Sequence, residues 1–229
     1  VGGFLRASVG EEIKFARYQG ETRSVPAWQA VQKAEQLLTE AKAAGDRGQI
    51  GTARTLFAQI DSLLAQAAEL DDEWASPLIV QARAFEMRAW FALVRGPDPE
   101  VLLQRALAAA NQAIDREPRS AWAYETRGRL HYVQWLITRP DSAEATRLLR
   151  ATETNLTEAL RIEPERARTE SALSLLYESQ GRFELAREAA RRALQADAYL
   201  ADADQIVLRL FQSSFEVGGD DGYLATPTR

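Results

Sequence analysis

Apolar residues recur at steps of three and four along most of this 229-residue chain. Trp28, Val31, Ala34, Leu37, Leu38 and Ala41 make one such stripe, the signature of a helix with one buried face. Ser24-Val25-Pro26 opens it, with proline in the first turn where its missing N–H costs nothing, and Gly45-Asp46-Arg47-Gly48 closes it. A second stripe, Ala53, Leu56, Phe57, Ile60, Leu63, Leu64 and Ala67, predicts a helix over 51–70. Ser76-Pro77 and Asp98-Pro99 open helices over about 76–95 and 99–116, with Ser76 and Asp98 as N-caps. The breaks at Glu117-Pro118-Arg119 and Glu163-Pro164-Glu165 bracket two more, about 120–138 and 142–162, which Pro140-Asp141-Ser142 separates. Further helices are expected over 167–180, 183–196 and 200–217, and a short one over 9–19. No segment alternates with period two, so no strand is predicted. The short connections place successive helices antiparallel.

The helices repeat. Pro118 and Pro164 stand 46 residues apart in matching turns, and the same shift maps Ala113 on Ala159, Ala121 on Ala167, and Ala82 on Gly128 and then Ser174. Small residues at these positions let paired helices approach closely, as a stack of hairpins requires. The last full hairpin is shorter: Ser174 to Ala186 is 12 residues, whereas Ala82 to Ala106 and Gly128 to Thr152 are each 24. The shift from Ala159 to Ala193 is accordingly 34. One unit is therefore 34 residues long, and two carry about a dozen more in longer helices and turns.

The run from Ser174 to Leu194 resembles a tetratricopeptide repeat, with Ser174, Tyr177, Gly181, Phe183, Ala186 and Ala193 at the positions of that pattern. Ala198 stands where the family closes with proline, a place that Pro118 and Pro164 fill in the earlier units. Tyr124, Gly128 and Ala159 also match, while residues 26–70 match only through Ala53, Phe57 and Ala67. The resemblance implies an all-α fold of antiparallel hairpins stacked as a right-handed solenoid. The hairpins are 26–70, 76–116, 120–162 and 167–198, preceded by an N-terminal helix and linker (1–25) and followed by a capping or unpaired helix (199–217) and a tail (218–229). A second resemblance, carried by Val1 to Trp28, is to the lead-in of repeat regions attached to bacterial serine/threonine kinases and related signalling proteins. The sequence itself holds no glycine-rich loop, His-Arg-Asp or Asp-Phe-Gly motif.

Composition narrows the chemistry. With no cysteine and a single histidine, the chain offers no disulfide framework, no thiolate nucleophile and no two-histidine metal site. The net charge of -5 gives no basic excess for nucleic acid, and the arginine runs around 161–168 and 187–192 are interspersed with glutamate, as on a solvated helix face. No apolar run reaches membrane-span length, and no secretory signal is read at Val1. His131 is expected in or beside the core, because no acid, base or nucleophile accompanies it. Asp71-Asp72 and Asp220-Asp221 read as turn polarity rather than cation ligands, and Asn155-Leu156-Thr157, formally a glycosylation acceptor, falls inside a helix. No cofactor or metal is expected.

These features point to a non-catalytic scaffold that takes a protein or peptide on the concave face of the array. The family register places Arg83 and Glu86 on that face from the helix at 76–95. It adds Trp122, Glu125, Arg129 and Tyr132 from 120–138, and Arg168, Ser171, Leu175 and Glu178 from 167–180. Arg83 and Arg129, one 46-residue shift apart, would suit an acidic or C-terminal carboxylate peptide, unless they pair with Glu86 and Glu125. Of the five tryptophans, Trp122 is the one expected to be partly exposed, as a hot spot. The alternative is an intramolecular sensor module of a larger bacterial signalling protein, of which this chain would be a piece. Homo-oligomerisation through Ile206, Val207, Leu210, Phe211 and Phe215 of the last helix is a further expectation. The compartment is open, with the cytoplasm the default and the periplasm an alternative.

Overall fold

The computed structural model describes residues 22, 24–95 and 98–197, with the side chains of 94 and 95 excepted. The expectations for the helices at 9–19 and 200–217, the signalling-protein lead-in and the tail lie outside the described residues. Eight helices run through the described part: α1 (Val25–Asp46), α2 (Ile50–Leu70), α3 (Ser76–Arg95), α4 (Pro99–Arg116), α5 (Ala121–Thr138), α6 (Ser142–Ile162), α7 (Ala167–Ser179) and α8 (Phe183–Ala196). No strand occurs among these residues.

Local chemistry sets the helix ends. Ser24 Oγ accepts from the Ala27 N–H at 3.2 Å, and the Asp98 carboxylate accepts from the Glu100 N–H at 2.9 Å ahead of Pro99. Asp141 Oδ1 accepts from both Ala143 and Glu144 N–H groups at 3.0 Å, satisfying two of the four donors that a helix start leaves open. Replacing Asp141 by alanine is expected to destabilise the fold by about 1 kcal/mol, read by chemical denaturation, with helix content below the transition unchanged. Ser76 is the first helical residue of α3, and the Ala75 carbonyl accepts from the Leu78 and Ile79 N–H groups. The turns α1–α2 and α7–α8 pass through Gly48 (φ 72°) and Gly181 (φ 71°), backbone that side chains other than glycine enter only with strain. At the end of α5 the left-handed position falls to Arg139 (φ 44°).

Successive helices pair as antiparallel hairpins, α1–α2, α3–α4, α5–α6 and α7–α8, and the hairpins stack. The core follows the stack. One cluster, including Trp28, Leu38, Ile60 and Trp74, closes the first hairpin on α3. A second, with Leu103, Ala106, Leu130 and Val133, joins α3–α4 to α5, and a third, with Leu156, Leu173, Leu176 and Ala189, joins α6 to the last hairpin. Each hairpin thus buries its apolar face against its neighbours, the arrangement of a solenoid. Ala82, Gly128 and Ser174, related by the repeat, are all buried, as are Ala106, Thr152 and Ala186 opposite them. Gly128 marks a close crossing: a Cβ there would stand 3.0 Å from Leu156 Cγ and Cδ2 and 3.2 Å from Asn155 Cβ.

Candidate partner-binding surface

The first helices of the hairpins, α1, α3, α5 and α7, lie side by side and line one face. On α3, Arg83, Glu86, Trp90 and Leu93 share one side of the helix by the 3.6-residue period; on α5 the same side carries Trp122, Glu125, Arg129, Tyr132 and Leu136.

The charged residues are paired across the hairpin junctions. Arg83 Nη1 donates to Glu35 Oε1 at 3.0 Å, linking α3 to α1. Arg129 Nη2 donates to Glu86 Oε1 at 2.9 Å, linking α5 to α3. Arg166, the N-cap residue of α7, donates from Nε and Nη2 to Glu125 Oε2 at 3.1 and 2.9 Å, and Thr169 Oγ1 donates to the same oxygen at 2.7 Å. Burial pushes the Glu125 carboxyl up, but Arg166, the Thr169 hydroxyl and Arg129 together hold it below the usual carboxylate value. The sequence names Glu86 and Glu125 as the partners of Arg83 and Arg129. Glu86 does take Arg129, whereas Arg83 takes Glu35 and Glu125 takes Arg166.

Glu86, Glu125 and Ser171 are buried, so they offer no surface to a partner. The reason is geometric: neighbouring helices cover the positions that a single-helix register assigns to the open face. Arg83, Arg129, Tyr132, Leu175 and Glu178 are half-buried, and Arg168 is exposed. Tyr132 packs on Trp135, with ring centroids 5.5 Å apart. Trp122 is 37% exposed. The guanidinium carbons of Arg83 and Arg166 stand 5.7 and 5.2 Å from its ring, within cation–π range. A pocket of about 70 Å³ opens beside it, lined in part by Gln32, Glu35, Ile79 and Ser120.

Trp90 and Leu136 on this face are also exposed, each at 39%. The sequence expects Trp90 in the core with the other tryptophans, and the structure corrects this; the 46-residue shift that pairs Arg83 with Arg129 also pairs Trp90 with Leu136. Both sit near the C-terminal ends of α3 and α5, the helices of the long units.

His131 lies half-buried on α5, as expected of a histidine beside the core. Burial, then the Arg127 and Arg147 charges, push its pKa down to about 4, so the ring is neutral at pH 7. Asn155 is buried and tied at both ends, to Arg127 and to the Ala151 carbonyl, which closes it to glycosylation in the folded chain. Asp71 accepts from Thr22 Oγ1. Among the described residues no group of three or more acidic, histidine or cysteine side chains is placed to hold a metal ion. No helix of that part is long and apolar enough to cross a membrane.

No protein-family model matches the sequence, and no curated protein matches it significantly. Solved structures do. TTC0263, a TPR protein of Thermus thermophilus, superposes with a TM-score of 0.58 at 18% identity, covering 82% of this chain and 83% of that one. MamA from Desulfovibrio magneticus RS-1, residues 41 to the end, aligns with a TM-score of 0.44 at 15% identity over 83% of this chain and 98% of that one. The resemblance to signalling kinases finds no support among these structures. The stacked antiparallel hairpins, the small residues at their crossings and the likeness to TTC0263 together give this chain the fold of a tetratricopeptide-repeat solenoid.

Proposed function

We propose that the chain is a non-catalytic scaffold that binds a peptide or an extended protein segment on the face lined by α1, α3, α5 and α7, with Trp122 as its anchor. Solenoids of this kind generally present such faces to other proteins. The observation that carries the reading is the state of Trp122: a large apolar ring, 37% exposed, held by two guanidiniums beside a small pocket. Tryptophans fixed in this way are the residue type most often found at binding hot spots.

The partner's chemistry follows from the pairing. Arg83, Arg129 and Arg166 each already hold a glutamate, so a carboxylate-bearing segment would have to displace an ion pair to use them. An apolar or aromatic side chain laid against Trp122, and a second one reaching Trp90 or Leu136, needs no such exchange. Of the ten positions taken from the family register, Trp122 and Tyr132 carry contact. Arg83 and Arg129 position the surface, and Arg168, Leu175 and Glu178 form its far end.

Selection of a random dodecapeptide display library on the purified chain tests this. The expected result is a set of peptides sharing an aromatic or large aliphatic residue, whose affinity falls about tenfold or more in Trp122→Ala and is unchanged in Arg161→Ala, on the exposed side of α6. Peptides that bind Trp122→Ala as tightly as the parent would overturn the assignment. Enrichment of acidic peptides that depend on Arg83 would restore the carboxylate-clamp expectation in its place.

A further inference from the structure

A groove of about 320 Å³ lies between α2, the C-terminal half of α3 and the start of α4. It belongs to a different side of the array: Arg88 and Ala92, which line it, point about 140–180° around α3 from Arg83 at 100° per residue. Its walls are apolar, with Phe57 from α2, Phe91 from α3 and Leu102 from α4. The volume falls at the lower end of the roughly 300–1,000 Å³ typical of small-molecule sites, which share this pattern of apolar walls with a few polar groups.

The wall at Phe91 is built in. Its ring occupies the space beside Gly45: a Cβ there would come within 2.0 Å of Phe91 Cζ. A glycine near the end of α1 therefore lets the ring stand back against that helix.

Three ionic side chains line the groove, Arg54, Asp61 and Arg88. Arg88 is fully engaged. Its Nη2 donates to the Phe57 carbonyl at 2.9 Å and stands 2.8 Å from Asp61 Oδ1, and its guanidinium lies over the Phe57 and Phe85 rings at 4.8 and 5.2 Å. Asp61 is thereby neutralised. Arg54 is exposed, and among the described residues no carboxylate stands within ion-pair distance of it. The first turn of α2, which forms this end of the groove, carries no acidic residue. Among the described residues the groove thus presents one unmatched positive charge, on a chain whose net charge is -5.

We propose that this groove binds a small amphipathic anion, an apolar acyl or aromatic body carrying one acid group. The body lies against Phe57, Phe91 and Leu102, and the acid group meets Arg54 at the rim. A cationic ligand would face Arg54, with Asp61 already taken. A neutral apolar ligand would leave the charge at the rim unused.

The probe is 8-anilinonaphthalene-1-sulfonate, an aromatic body with one sulfonate, titrated by fluorescence into the full chain at pH 7. The expected result is saturable binding of one probe per chain, displaced by dodecanoate and not by dodecanol. Arg54→Glu is expected to weaken it at least tenfold, and Ala58→Trp, which fills the groove from an exposed position on α2, to abolish it. Circular dichroism and denaturation midpoints of both variants should match the parent. Trp122→Ala should bind the probe as the parent does, which separates this site from the peptide face. Non-saturating fluorescence, equal binding by the two groove variants, or displacement by dodecanol as readily as by dodecanoate would overturn the proposal.

Discussion

Replacing Arg166 by methionine is expected to destabilise the last hairpin by about 3 kcal/mol at pH 7. Glu125 is 5% exposed, and Arg166 supplies two of the three hydrogen bonds to its Oε2. Methionine fills much of the same space but leaves a buried carboxylate short of its counter-charge, and removal of one partner of a buried pair typically costs about 3–5 kcal/mol. The pH dependence identifies the cause. In the parent chain the folded pKa of Glu125 lies below the unfolded value of 4.5. The ionised group therefore contributes stability that is fully present above the unfolded value and is lost as pH falls through the folded one. Without Arg166, burial dominates and the folded pKa moves up, so the carboxylate works against folding at neutral pH and protonation relieves it. The gap between parent and variant should narrow as pH falls from 7 towards 4. Because each hairpin contacts only its neighbours, the loss should be local: amide exchange in α7 and α8 should quicken about a hundredfold while α1 and α2 keep their protection. A gap that stays constant with pH would assign the effect to lost packing of the arginine stem instead.

The same pairing recurs at each junction. Arg83 reaches back to Glu35, Arg129 to Glu86 and Arg166 to Glu125, always from the later hairpin to the earlier one. Hydrophobic stripes of alanine and leucine tolerate sliding of one helix along another. A buried or half-buried ion pair does not, since a one-turn slip would leave the carboxylate unpaired in a poorly solvated place. The ladder thus fixes the register in which the hairpins stack, and with it the positions of Trp122, Trp90 and Leu136 along the open face.

The sequence makes the scaffold legible because its signals are local. Ser24, Asp98 and Asp141 bond N–H groups two or three residues ahead, and Pro26 and Pro99 sit in the first turns they open. The small residues Ala82, Gly128 and Ser174 are legible through the repeat, since a crossing of fixed geometry demands the same size at each recurrence. The open face is only half legible. Periodicity assigns a side of the helix to Glu86 and Glu125 but not how far the neighbouring helix covers it, and both are buried. Nor does spacing choose among carboxylates within reach of a long arginine: Arg83 spans to Glu35 on α1, 48 residues away, which no pattern within one hairpin specifies. Arg54 escaped notice for a similar reason, because the groove at its side exists only where α2, α3 and α4 converge.

The Gly128–Leu156 crossing gives a prediction that turns on sign. Leu156 is fully buried among Leu173, Leu176 and Ala189, and its truncation to alanine is expected to cost about 3 kcal/mol, the transfer of its side chain plus the cavity left behind. Gly128→Ala sets two effects against each other. Alanine in a helix interior is favoured over glycine by about 1 kcal/mol, but the new Cβ would stand 3.0 Å from Leu156 Cγ and 3.2 Å from Asn155 Cβ. Neither neighbour is free to yield. Leu156 is enclosed, and the Asn155 amide is held by Arg127 Nε at 2.7 Å on one side and by the Ala151 carbonyl at 2.7 Å on the other. Overpacking of this kind costs about 1–3 kcal/mol, so in the parent chain the substitution should destabilise by about 1 kcal/mol net. In the Leu156→Ala background the two nearest obstructing atoms, Leu156 Cγ and Cδ2, are gone and only the 3.2 Å contact with Asn155 Cβ opposes the propensity gain, so the same Gly128→Ala change should stabilise, by less than about 1 kcal/mol. A double-mutant cycle by chemical denaturation reads this directly as a reversal of sign between backgrounds. If Gly128→Ala stabilises the parent chain as well, then α5 and α6 can separate by a few tenths of an ångström without penalty, and close approach is not what the repeat selects at this position.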